Sequence, residues 1–224
     1  MSVTIAYLAV ILIWSTTPLG IQWSSESISP SMAVLLRMLI ATVIGLVIVK
    51  LRGINVPLHK TAVQVYAYSG IGIFGGVLFS YLAAVHISSG VLSLVFGLAP
   101  IISAVLAKKI LAEAKISSTK KIAMLVCLIG LAIVCSDNFT LEDDAIYGLI
   151  YVFCAVFLFS LSGVLVKSVT LVIHPLATTV GALSVSTPLF FISWLVLDGN
   201  LSVEQWQAKS FFACIYLGIF GSLI

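Results

Sequence analysis

The chain has 224 residues, 61% of them hydrophobic and 8% charged, and a mean hydropathy of +1.24, which leaves too little polar surface to cover a soluble globule. Its formal net charge of +3 is small and follows the loop bias described below, so it does not mark a nucleic-acid partner. The expected class is an all-α integral membrane protein, a polytopic helix bundle, because backbone groups in lipid must be satisfied within each segment and the alternating strands of a β-barrel are not seen.

Apolar runs between polar breaks predict helices near 4 to 23, 31 to 49, 62 to 85, 88 to 107, 119 to 136, 145 to 166 and 175 to 197. Most approach the ~20 residues that cross a hydrocarbon core. The first lacks a basic leader and a small-residue cleavage site, so it is read as a helix of the mature protein. An eighth begins near Ser210 with about 15 residues before Ile224, short of a full span, so the sequence is expected to stop inside a transmembrane helix.

Basic residues close to helix ends stay in the cytoplasm. The breaks after helices two, four and six carry Lys50, Arg52 and Lys60, then Lys108, Lys109, Lys115, Lys120 and Lys121, then Lys167. The opposite breaks hold one basic residue, Lys209, beside Glu26, Asp137, Glu142, Asp143, Asp144, Asp198 and Glu204. The N-terminus is therefore expected in the cytoplasm.

The stretch from Trp14 to Arg37 recurs, worn, from Phe159 to Ala182. A shift of about 145 positions puts Trp14 on Phe159, Ser15 on Ser160, Thr17 on Ser162 and Pro30 on Pro175, a repeat-level separation. One residue further out, the GIFG of residues 72–75 falls on the GIFG of 218–221. Five helices separate the copies, an odd number, so the copies are inverted. Inverted repeats about a pseudo-two-fold axis in the membrane plane are a recurrent architecture of secondary transporters. The counterpart of helices three to five is expected to end at roughly residue 280.

Several residues are candidates for function. Trp14, Ser15, Thr16, Thr17 and Pro18 form a polar, kink-prone patch: Pro18 removes a helical hydrogen bond, and nearby hydroxyls can satisfy the freed carbonyl. The patch reads either as a tolerated kink or as cavity lining. Arg37 lies about seven residues past Pro30, on the order of 10 Å deep. An intramembrane cation either faces the bundle interior as a functional group or snorkels to the interface; at a cavity mouth it would suit anionic or zwitterionic substrates. Gly72, Gly76 and Ser80, and Gly90, Ser93 and Gly97, have the spacing of close helix packing, with Ser93 also placed to point into a cavity. Pro100 is expected to interrupt helix four.

Catalysis and cofactors find no support. The four cysteines, Cys127, Cys135, Cys154 and Cys214, lack metal or redox spacing, and His59, His86 and His174 pair with no buried carboxylate. No Asp or Glu falls mid-membrane, where a proton relay would need one. A positioned acid, base, nucleophile or phosphate-cradling loop is missing, so neither an enzyme nor a metal or cofactor is expected.

Three segments carry a family resemblance in combination: the helix-one ending IWSTTPLG; the run SPSMAVLLRMLIA; and LAPIISAVLAKKILAE followed by KKIAMLVCLIGLAIV. Together they resemble the EamA-like transporters of the drug/metabolite transporter superfamily. Pro100, Glu113 and Gly130 hold the family's places in the last stretch, with Ala112 where the family usually has glycine. The resemblance implies two inverted five-helix repeats: residues 1–136 as the first, with helices one to five, and 145–224 as an incomplete second, with helices six to eight. It also implies a multi-pass protein of the inner (plasma) membrane that moves small polar metabolites, amino-acid-like compounds or related solutes, commonly outward, by alternating access. Related small multidrug exporters use a glutamate in helix one; none stands near Trp14, which disfavours cation-drug exchange of that kind.

The residues expected to line the path are Trp14, Ser15, Thr17, Arg37, Ser93, Phe159, Ser162 and Tyr216. The expected partners are a small-molecule substrate and the lipid bilayer, with a homodimer left open. Two other readings stand beside a transporter: a seven-helix receptor or sensor, and a flippase for lipid-linked substrates.

Overall fold

The computed structural model describes residues 3–112, 117–136, 144–201 and 203–223. Apart from turns, the described residues are helical. The helices are α1 (Val3–Ser24), α2 (Pro30–Leu51), α3 (Lys60–Ala83), α4 (Ser89–Ile110), α5 (Ser118–Ser136), α6 (Ala145–Lys167), α7 (Pro175–Leu197) and α8 (Ala208–Leu223). The boundaries fall within a few residues of the predicted ones because prolines and polar caps mark them. Pro30 and Pro175 each occupy the first turn of a helix, where a missing N–H costs nothing. His59 and His174 cap α3 and α7, each accepting a backbone N–H at 3.3 Å through Nδ1.

Among the described residues five helices, α2, α3, α4, α6 and α7, are long and apolar enough to cross a membrane. This is fewer than the seven spans read from the sequence, although α1 has 22 residues and α5 has 19. The chain is a multi-pass helical membrane protein. Along α2 a stripe of Val34, Met38, Ala41 and Val49 is buried, while Leu39, Val43, Leu46 and Val47 are exposed. Both faces are apolar, as expected of a helix with protein on one side and lipid on the other.

Two helices depart from regular geometry. In α4 the helix breaks after Phe96 and restarts at Ala99 with Pro100 in its first turn, the interruption expected of that proline. In α3 the segment Ile71–Gly76 is a π-helix, which the periodicity of the sequence does not foretell. The turn after α4 places Ala112 at a φ of 51°. That is the left-handed region where a Cβ is disfavoured, so the glycine usual at this place in the family has a steric reason. Glu113 and Lys115, and the acidic residues Asp137, Glu142 and Asp143, lie outside the described residues.

Packing follows the 145-residue shift. Helix α1 packs on α8 as α6 packs on α3, and α2 packs on α8 as α7 packs on α3. Between them, α2 lies against α7. Two contacts join residues that differ by that shift: the rings of Trp14 and Phe159, 5.6 Å apart, and the hydroxyls of Thr42 and Thr187, separated by 145 positions and 2.7 Å apart. The identical GIFG strings, however, do not fill equivalent places. A Cβ on Gly72 would meet Ser162 of α6, whereas one on Gly218 would meet Ile40 and the carbonyl of Arg37 in α2. By packing, the partner of Gly218 is Gly70, which faces Val185 and Ser186 of α7.

Small residues bring α3 and α6 together. A Cβ on Gly72, Gly75 or Gly76 would lie 2.7, 2.6 or 3.2 Å from side-chain atoms of Ser162, Leu158 and Phe159, the close approach that such a stripe permits. In α4 a Cβ on Gly90 would meet the Ser88 hydroxyl at 3.8 Å, so at this member of the expected stripe there is room for a side chain. At one end of the bundle the α1–α2 and α7–α8 connections are tied by Lys209 on Glu26 at 2.7 Å, by Lys209 over the Trp23 ring at 4.9 Å, and by the Gln207 amide donating to Ser27 Oγ at 2.9 Å.

Candidate substrate cavity

A cavity of about 370 Å³ lies at the centre of the bundle. Helix α1 contributes Trp14, Ser15, Thr17, Pro18 and Ile21, and α2 contributes Arg37 and Met38. The π-helical bulge of α3 and the turns after it supply Ile73, Gly76, Val77 and Ser80. Leu92, Ser93 and Phe96 come from α4, Phe159 from α6, Leu183 from α7, and Gly221 and Ser222 from α8. The size and the mix of an apolar wall with a few polar groups are those of a small-molecule site.

The aromatic side of the cavity is built across three helices. Phe159 meets Trp14 edge to face at 5.6 Å and Phe96 edge to face at 6.3 Å, geometries that suit ring quadrupoles. The hydroxyl side is largely engaged within its own helices. Ser15 donates to the Leu12 carbonyl at 3.0 Å, Thr17 to that of Ile13 at 2.7 Å, and Ser93 to that of Ser89 at 2.7 Å; Thr16, which faces the flank beside Tyr216, donates to the Leu12 carbonyl at 2.9 Å. The hydroxyls beside Pro18 thus bond carbonyls above the proline and not that of Trp14, which Pro18 leaves without its helical donor; this corrects the expected arrangement.

Arg37 does not snorkel. It is 3% exposed and reaches across to α8, donating from Nε to Ser222 Oγ at 2.9 Å and from Nη2 to the Gly221 carbonyl at 2.9 Å. Its Nη1 is buried with no hydrogen-bond partner. Among the described residues no carboxylate lies within ion-pair reach of it, and no Asp or Glu lines the cavity. The guanidinium is a cation with spare donor capacity in the wall of an apolar cavity.

Six of the eight expected residues, Trp14, Ser15, Thr17, Arg37, Ser93 and Phe159, come together here. The other two lie elsewhere. Ser162 sits in the α3–α6 contact, against Gly72 and 3.5 Å from the Ser69 carbonyl. Tyr216 shares a 2.7 Å hydrogen bond with Thr16 and lines a separate groove with Trp23 and Lys209, because α8 turns its Ser222 edge inward and its Tyr216 edge to the flank. Sequence reasoning missed Ser222 and Phe96. Nothing in the sequence marks Ser222: it follows the second GIFG, but the two GIFG strings do not pack equivalently.

The model of the EamA-like transporter family matches residues 1–136, the stretch from α1 through α5. No curated protein matches the chain.

Proposed function

The chain belongs to the EamA-like transporter family and is a membrane transporter; we propose that it carries small polar metabolites, amino-acid-like compounds or related solutes, outward across the inner membrane by alternating access. In this reading residues 1–136 and 145–224 are inverted repeats, and the N-terminus is cytoplasmic, as the lysine and arginine bias favours. The family match decides against the seven-helix receptor.

One observation carries the proposal: the cavity draws its walls from both stretches, and Trp14 and Phe159, equivalent under the shift, touch in its wall. A site between inverted repeats is open to either side as one repeat rocks against the other. Trp14, Ser15, Thr17, Arg37, Ser93 and Phe159 line it. Ser162 positions α3 against α6, and Tyr216 couples α1 to α8.

The test is counterflow in liposomes reconstituted with the complete reading frame and loaded with a panel of amino acids and organic acids. Saturable exchange of at least one compound is expected. Exchange of none of them, from a correctly folded preparation, would overturn the proposal.

A further inference from the structure

Arg37 is held by α8 through two of its nitrogens, while the third is buried and unmatched. An unpartnered buried donor on a cation is costly, and among the described residues no acidic side chain in the cavity wall offsets the charge. A ligand carboxylate would supply the missing countercharge to the guanidinium that lines the cavity; the Ser222 hydroxyl, which accepts from Nε, already donates to the Leu217 carbonyl at 3.1 Å. Away from Arg37 the wall becomes apolar and aromatic, with Trp14, Phe96 and Phe159 in edge-to-face contact. An ammonium group, by contrast, meets no anion among the described residues of this wall.

We propose that the cavity selects organic monocarboxylates with an apolar or aromatic body, Arg37 binding the carboxylate and the Trp14–Phe159–Phe96 cluster the body, with no required contact to an amino group. This rests on the transporter reading and narrows its substrate class. A charge-assisted hydrogen bond is worth about 10- to 100-fold in affinity, which sets the scale of the selection.

The test measures binding directly, by the shift in melting temperature of the complete protein in detergent. Four probes share one ring and chain: 3-phenylpropanoate, its amide, 2-phenylethylammonium and L-phenylalanine. The expected result is that 3-phenylpropanoate binds at least ~10-fold more tightly than the amide and no more weakly than L-phenylalanine, with the ammonium compound weakest. Arg37→Gln should bring acid and amide to equal affinity. If Arg37→Gln does not fold, Arg37→Lys should keep the preference for the acid, and the wild-type comparison decides the matter without either variant. Amide binding as tight as the acid, preference for the ammonium compound, or binding of none of the four would overturn the proposal. Carboxylate binding without counterflow would sink the transport reading and leave this one standing; counterflow of solutes without acid-over-amide preference would do the reverse.

Discussion

At the scale of single residues, side chains at special backbone positions or in cross-helix pairs decide most. Ala112 is held at a φ of 51°, where any Cβ is disfavoured by roughly 1–2 kcal/mol. Ala112→Gly should therefore stabilise the protein by about 1 kcal/mol, read as a raised melting temperature in detergent; a lowered one would mean that the turn does not need the left-handed conformation. The ring pair Trp14 and Phe159, 5.6 Å apart, should show a coupling of about 0.5–1.5 kcal/mol in a double-mutant cycle of Trp14→Ala and Phe159→Ala. Strict additivity of the two substitutions would remove the contact from the account. Arg37 shows where sequence falls short. Its depth was readable from its distance to Pro30, but its partners, the Gly221 carbonyl and Ser222, lie about 185 residues away in the chain, and nothing local announces them.

At the scale of helices, prolines and capping residues made the boundaries legible, while helix rotation was hidden because every face of these helices is apolar. That is why Tyr216 was expected in the cavity and lies in the flanking groove, and why Ser162 packs on Gly72 instead of lining the path. The π-helical segment Ile71–Gly76 was equally hidden, since one wide turn leaves no compositional mark. Close packing gives a sharp contrast between glycines. A Cβ on Gly181 would lie 2.6 Å from the Tyr66 ring, whereas one on Gly163 meets nothing within 4 Å. Gly181→Ala should push α3 and α7 apart and cost about 1–3 kcal/mol; Gly163→Ala should be neutral or slightly stabilising in the same unfolding assay. Equal effects from the two would show that α3 and α7 do not meet as described.

At the scale of the whole molecule, the 145-residue shift carried further than any single motif. It matched Trp14 with Phe159, whose rings meet in the structure, and the same spacing joins Thr42 to Thr187 across α2 and α7. Cysteines introduced together at Thr42 and Thr187 should cross-link under mild oxidation, and one moved a single turn along either helix should not; the opposite pattern would displace the proposed axis. In the proposed transport cycle the carried solute sits in the cavity between the two stretches. With the four native cysteines replaced by alanine, Ser93→Cys places one thiol in that cavity, and its labelling by N-ethylmaleimide can be timed in liposomes that show counterflow. A saturating concentration of the exchanged solute should slow labelling at Ser93→Cys several-fold and leave a thiol introduced at the exposed Val172 untouched. Unchanged labelling at Ser93→Cys while exchange proceeds would place the transport path elsewhere.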